Sequence, residues 1–292
     1  MDIVDTHPHV ISDDYDKYPA APLYGRRSEW SSEHPTTTEQ YLQYMDEAGV
    51  KYAVLVHSST TYGFDNSYAA DSVAKYPNRF VGVCSVDAEA PDGAEKLRYW
   101  IKERGMHGLR LYTGGSTAQG EIHDFLDKPV TYPVWEEAGR LGIPVAIQVH
   151  WAGLPMVRNV LERFPQVTIA LDHFGRAPTE DGPPYNAAAP LWELARLSNL
   201  YLKFATRALR ESNAGKSTVR DWFQKVIDTF GANRLTWGSN FPGSWGTGPT
   251  GPFKELVDLA RGTLSVFSED EQRWMLGETA KTVYPALKRM PA

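Results

Sequence analysis

Eight short apolar runs rich in Val, Ile and Leu alternate along the chain with longer stretches of helical period, and no sustained hairpin alternation interrupts them. Strand followed by helix, repeated in this way, predicts an α/β fold with parallel strands covered by helices. From residue 9 the strand ends fall near 57, 86, 112, 150, 173, 206 and 240, at spacings of 23 to 48 residues that suit βα units. Eight such units in 292 residues match a closed (β/α)8 TIM barrel. The alternative is an open doubly wound sheet, but no Gly-x-Gly-x-x-Gly phosphate loop follows any run.

The strands are expected at 3–7, 52–57, 80–86, 108–112, 144–150, 168–173, 200–204 and 234–238. A helix over 36–48 has Thr at its start, Leu42 and Met45 on one face and Gly49 as its stop. The next, 92–104, carries Leu97 and Ile101 and ends before Gly105. Over 133–141, Pro133 sits in the first turn and Gly142 closes the helix. Val157, Val160, Leu161 and Phe164 repeat on one face of 155–164, and Val219, Trp222, Phe223, Val226 and Phe230 do the same over 217–230. A last helix opens with the capping-box pattern Ser268-x-x-Glu271. Two loops, 10–35 and 238–252, each follow a strand, which predicts that both lie at the catalytic face of the barrel. No linker or charge block divides the chain, so a single domain is the simplest expectation.

The formal charge of −6, with no Lys/Arg stripe, argues against a nucleic-acid partner. Apolar runs of six or seven residues fall short of the roughly 20 that cross a bilayer, so no membrane association is expected. The strand-like start Met-Asp-Ile-Val-Asp-Thr-His reads as no signal peptide, and a single cysteine fits a reducing, cytoplasmic setting. Cys84 lies in the apolar run 80–86 and reads as core rather than nucleophile.

The sharpest chemical signal is Asp-Thr-His-Pro-His at residues 5–9. Side chains two apart on extended chain share a face, so His7 and His9 are expected to point into the barrel mouth, where two neutral imidazoles can ligate a divalent metal. The fifth strand ends at His150 with Gln148 on the same face, the sixth at His173 and the second at His57. Five of the eight histidines therefore gather at one rim, of which His57 is the most readily structural. His34, His107 and His123 receive no role. The fourth strand brings Arg110 and Tyr112 to the rim, where Arg110 can hold a carboxylate or a developing oxyanion; a salt-bridged structural arginine is the alternative. Arg207 is a weaker candidate of the same kind. Lys203 is expected to point outward between helices, on one face with Tyr201; pointing inward it could be carboxylated as a bridging ligand.

Asp5-Thr-His7-Pro-His9, the strand-final His150, Leu-Asp-His173-Phe-Gly-Arg, Tyr-Leu-Lys-Phe, Trp-Gly-Ser-Asn240-Phe-Pro and the closing Leu276-Gly-Glu-Thr-Ala-Lys-Thr-Val-Tyr together resemble the amidohydrolase superfamily. More closely they resemble its amidohydrolase-related (amidohydrolase 2) branch, which includes 2-pyrone-4,6-dicarboxylate lactonase, sugar-acid lactonases and metal-dependent decarboxylases. The likeness runs from residue 2 to about residue 287. It implies that His7, His9 and His150 hold one divalent ion, zinc or manganese, and that His173 ligates a second ion or polarises the substrate. It makes Arg110 a plausible partner for a substrate carboxylate. The departure is Asn240, where most members carry an aspartate as ligand and general base. An amide accepts no proton at neutral pH, though it can orient water or donate to an oxyanion. Either His173 or His150 then acts as base, or the metal alone activates water, or the reaction is not hydrolysis. Lactonases of the branch can also dispense with metal.

The leading expectation is a hydrolase of a small carboxylated or hydroxylated ring, a lactone above all. His173, Asn240 and His150 would be catalytic, and Arg110, Tyr112, Gln148 and Arg207 would bind the substrate. No Gly-x-Ser-x-Gly nucleophile motif competes with this reading. The alternatives are a metal-dependent, non-oxidative decarboxylase of an aromatic or unsaturated acid and a non-catalytic binding barrel. The expected partner is a small molecule; a homo-oligomer is compatible with the sequence.

Overall fold

The computed structural model describes residues 1–114 and 122–291. Its strands are β1 (Val4–Asp5), β2 (Tyr52–Val56), β3 (Phe80–Cys84), β4 (Gly108–Tyr112), β5 (Val145–Gln148), β6 (Ile169–Leu171), β7 (Leu200–Phe204) and β8 (Leu235–Trp237). All neighbours are parallel and the order is β1 to β8. Between β8 and β1 the Thr6 amide and hydroxyl both donate to the Trp237 carbonyl, at 3.2 and 2.7 Å, so the sheet curls nearly closed into the predicted barrel. Several strands are shorter than their apolar runs because the backbone leaves the ladder at the rim. After β6 it turns at once through left-handed conformations at His173 and Phe174, both at φ 54°.

The covering helices follow the expected signals. In α1 (Thr38–Ala48) the side chain of Thr37 accepts from the Gln40 amide, and Gly49 closes the helix at φ 71°, a conformation glycine adopts without strain. The helix α2 (Ser67–Lys75) was not evident from sequence, because the face it buries is mostly Ala69, Ala70 and Val73, too small for a strong apolar period. Then come α3 (Gly93–Lys102), α4 (Tyr132–Leu141), α5 (Leu154–Arg163) and α6 (Val219–Phe230). Between β6 and β7 lies only a short helical turn at Ala189–Trp192, flanked by tighter turns. After β8 comes α7 (Lys254–Leu264), also unforeseen, which buries Leu256, Val257, Ala260 and Leu264. The Ser268 capping box forms as predicted. Among the described residues no helix is long and apolar enough to cross a membrane.

The core has two main parts, beside a small cluster of Ile11, Tyr18 and Tyr62. One lies between strands and helices and includes Leu55, Phe80, Cys84, Trp135 and Phe223. Cys84 is buried there against the Gly108 carbonyl, and burial pushes its thiol up to about 12, so it is inert core. The other fills the lower barrel with Val4, Val54, Val81, Ala146 and Ala170, and is closed from below by Val283, Tyr284 and Leu287. Above this apolar plug the interior becomes charged.

Lys203 corrects the sequence reading. It does share a face with Tyr201, as strand period demands, but that face is the inner one. Tyr201 packs on the apolar plug, while Lys203 is 2% exposed, with Nζ 3.1 Å from Oδ1 of Asp172. The ion pair explains how an ammonium is held inside the barrel.

His57 is buried and donates its Nε2–H to the Gly63 carbonyl at 2.8 Å, pinning the loop after β2. Burial lowers its imidazole from the usual 6.5 to about 4. In the unfolded chain the ring takes up its proton first as pH falls, so the folded state loses stability between pH 6.5 and about 4. We expect the stability difference between wild type and His57→Asn to shrink by about 3 kcal/mol from pH 7 to pH 4. Urea unfolding at the two pH values measures it, and a constant difference would contradict the assignment.

Candidate active site

Where the barrel interior turns polar, four ionisable side chains meet. Asp172 stands one residue beyond β6, fully buried, with Oδ2 3.1 Å from Nε of Arg110. Its Oδ1 lies 3.1 Å from Lys203 Nζ and 3.4 Å from His7 Nδ1. Burial by itself raises a carboxyl pKa. Here the charges of Lys203, His7 and Arg110 outweigh it and hold Asp172 well below the usual carboxylate range. Asp172 went unassigned in the sequence, although a signal was present. Charged residues inside apolar strand runs, here Arg110 and Lys203, demand a buried anion, and Asp172 is the acid that the strand pattern places among them.

His7 Nδ1 lies between Lys203 Nζ, at 3.2 Å, and Oδ1 of Asp172, at 3.4 Å, so a donor and an acceptor compete for it. Nε2 is buried without a hydrogen-bond partner. Burial holds His7 well below the ordinary imidazole range despite the pull of Asp172, with Lys203 and Arg110 acting in the same direction as burial. In His9 the Nδ1–H donates to the Val56 carbonyl at 2.8 Å, which leaves Nε2 as a lone pair. The ring is stacked on Trp30 at 5.2 Å, and burial, aided by Arg110, lowers it to about 3. His173 lies 5.2 Å from His7 between ring centroids and is lowered to about 4, again chiefly by burial. All three imidazoles are thus neutral at pH 7.

Asp5 fixes this rim. Its carboxylate accepts from the backbone amides of His7 (3.0 Å) and Ser239 (2.7 Å) and from the Tyr41 hydroxyl (2.8 Å), tying β1 to the end of β8. Gly238 is required there, because a Cβ would stand 2.6 Å from Cβ of His7. Asn240 follows in the left-handed region at φ 57°, which asparagine tolerates better than most residues.

His9, Arg110, His173 and Asn240 border a cavity of about 220 Å³ at the C-terminal ends of the strands. Of the residues singled out from sequence, His9, Arg110, Tyr112, Gln148, His173, Arg207 and Asn240 line it. His7 is absent from the lining and lies buried beside His9 and His173. His150 is not brought to the cavity. The chain leaves the ladder at Gln148 and turns into Trp151–Gly153, so strand alternation no longer aims the ring, and its Nε2 lies 3.3 Å from Asp124. Sequence reasoning missed Arg176, Trp30, Ser244 and the run Ser58 to Thr60, all of which line the cavity from loops without periodicity. Loops 10–35 and 238–252 both reach the cavity, through Trp30 and Ser244, and are joined by His34 stacked on Trp245 with ring centroids 4.1 Å apart.

The profile of the Amidohydrolase family, in its amidohydrolase 2 group, matches residues 4–286. The chain belongs to this family. This amidohydrolase is 27% identical over 247 residues to the 4-sulfomuconolactone hydrolase of Rhizobium radiobacter, a match that covers 82% of this chain and 75% of that one. A candidate 2-pyrone-4,6-dicarboxylic acid hydrolase of Pseudomonas putida superposes with a TM-score of 0.76 at 21% identity, over 98% of both chains. An amidohydrolase of Burkholderia multivorans with bound zinc superposes with a TM-score of 0.72 at 18% identity, over 98% of this chain and 99% of that one. At such identities the two structures establish the shared barrel.

The family implies a divalent ion, and the residues present do not complete a site for one. His9 offers a lone pair at Nε2, but His7 lies outside the cavity lining with Nδ1 against Lys203 and Asp172, and His150 faces Asp124. Among the described residues no three His, Cys, Asp or Glu side chains converge as a mononuclear centre needs. Protein stripped with chelator and dialysed against zinc is therefore expected to retain well below one equivalent per chain by elemental analysis. A full equivalent, lost in a His7→Ala, His9→Ala double variant, would mean that the rim rearranges to recruit a third ligand.

Removing the central anion should cost far more than removing any surface charge. Asp172→Asn leaves Arg110 and Lys203 buried without a counter-charge, and we expect about 3–5 kcal/mol of lost stability by chemical denaturation. A loss below 1 kcal/mol would show that water or another group already serves the two cations.

Proposed function

We propose that this amidohydrolase opens the ring of a small carboxylated lactone by adding water to its ester carbonyl. One observation carries the reading: a neutral imidazole with its lone pair fixed at Nε2, that of His9, borders a cavity also lined by Arg110, Arg176 and Arg207. Among the described lining residues there is no carboxylate. Such a cavity attracts an anionic substrate through charge-assisted, bidentate hydrogen bonds. The names of the Rhizobium radiobacter and Pseudomonas putida proteins both denote hydrolases of cyclic esters, which supports the same reaction class here.

In this reading Arg176 and Arg207 hold the substrate carboxylate, and the ring carbonyl faces Arg110 and the Asn240 amide. His9 Nε2 takes a proton from water as the water oxygen bonds to the carbonyl carbon. The resulting oxyanion is held by the Arg110 guanidinium and the Asn240 N–H. Asn240 is suited to that task, because an aspartate there would repel the developing charge. As the tetrahedral species collapses, the acyl–oxygen bond of the ring breaks and the leaving oxygen takes the proton from His9, with a hydrogen bond from neutral His173. The product is the open hydroxy acid. Asp172 and Lys203 touch no substrate in this scheme; they hold Arg110 and His7 in place.

The test is hydrolysis of a panel of five- and six-membered lactones bearing one ring carboxylate, followed as acid release. His9→Gln should lower kcat by about 10² to 10⁴, and Asn240→Asp should also slow turnover. Because burial holds His9 near 3 and His173 near 4, kcat/KM for the free enzyme should stay flat from pH 8 to about 5 and fall only below that. No hydrolysis across the panel, or Asn240→Asp faster than wild type, would overturn the scheme.

A further inference from the structure

A second chamber of about 160 Å³ adjoins the cavity between the ends of β3 and β4. The two share Ser59, Arg110 and Tyr112 as common walls. The junction is held in place: Arg110 is tethered through Nε to Asp172, and its guanidinium sits 5.3 Å from the Tyr112 ring centroid. Their linings differ in chemistry. The first cavity has three guanidiniums, whereas the second shares only that of Arg110 and is otherwise walled largely by Leu23, Phe64, Val86, Leu111 and Phe125, with His123 at its edge. Asp87 and Glu89 also border it, and Glu89 is already paired with His123 at 2.5 Å and Lys128 at 3.0 Å. An anionic group entering the second chamber would meet Asp87 and apolar walls, with the guanidinium of Arg110 already bound to Asp172. An uncharged one would gain burial and would cover Phe64, a large apolar side chain that is 37% exposed.

We infer that the substrate is a lactone with its carboxylate and ring in the guanidinium-lined cavity and an uncharged aliphatic or aromatic arm in the apolar chamber beyond Arg110 and Tyr112. This rests on the lactonase reading for the reaction, while the two chambers fix the substrate class: one anionic end and one apolar end, on opposite sides of the ring. A second carboxylate on the arm is selected against by Asp87 and the apolar walls.

The experiment compares 5-oxotetrahydrofuran-2-carboxylates bearing methyl, propyl, phenyl or carboxymethyl on the ring carbon away from the carboxylate. Each methylene buried should raise kcat/KM about threefold to fourfold, so propyl should exceed methyl by about tenfold and phenyl should exceed methyl likewise. Carboxymethyl should fall below methyl. Val86→Trp, which fills the chamber, should bring propyl and methyl within about twofold of each other. Leu23→Trp, at a half-buried wall position, gives the same reading if Val86→Trp does not fold. In parallel, calorimetry measures binding of cyclopentanecarboxylates with the same arms, which cannot be hydrolysed. Turnover without dependence on the arm overturns this inference and leaves the lactonase reading intact. No turnover, but tighter binding of the propyl and phenyl ring acids that is lost in the filled variant, overturns the lactonase reading and keeps the chamber assignment. Neither turnover nor arm-dependent binding overturns both.

Discussion

The buried carboxylate of Asp172 is the constraint around which the upper half of the barrel is built. One anion facing Arg110, Lys203 and His7 in a space without solvent must be matched closely, because each charge left unpaired there costs several kcal/mol. That requirement fixes the rotamers of all three partners. It also leaves the assembly with a positive balance, two permanent cations to one anion, directly beside the cavity. The small residues Ala146 and Ala170 lower in the barrel allow the apolar plug to stop short of this cluster.

Asp172 also engages the histidine pair of the first strand. His7 Nδ1 lies against both Lys203 and the carboxylate. His9 is set by a backbone carbonyl instead and keeps its lone pair at Nε2. Burial keeps both rings neutral at physiological pH, so the positive field of the site comes from its arginines, and that is the field an anionic substrate meets.

The rim is held by a different network. Asp5 links the first and eighth strands through backbone amides, and the two long loops lock together through His34 on Trp245. These contacts bring Trp30, Asn240 and Ser244 to one cavity from segments far apart in the chain. Arg110 serves both systems, since one end is bound to Asp172 while the group as a whole divides two chambers of opposite character.

The apolar runs and their spacing were enough to read the eight parallel strands, most covering helices, the threonine start of the first of them and the capping box at Ser268. Those features depend on local periodicity and on hydrogen bonds within a few residues. The same alternation placed Arg110 and Gln148 at the cavity, because each sits on a strand whose inner face is fixed by its apolar neighbours; His9 and His173 reach it from backbone just past their strands. Where the backbone leaves the ladder, alternation lost its meaning, and His150 turned toward Asp124. The helices α2 and α7 escaped notice for a related reason: small or mixed apolar faces leave a faint period. The direction of Lys203, the tautomer of His9, and the gathering of Arg176 and Arg207 beside Arg110 were decided only by tertiary structure. Each depends on a partner 30 to 200 residues away in the chain, and the free energy of pairing buried charge outweighs any preference written in neighbouring residues.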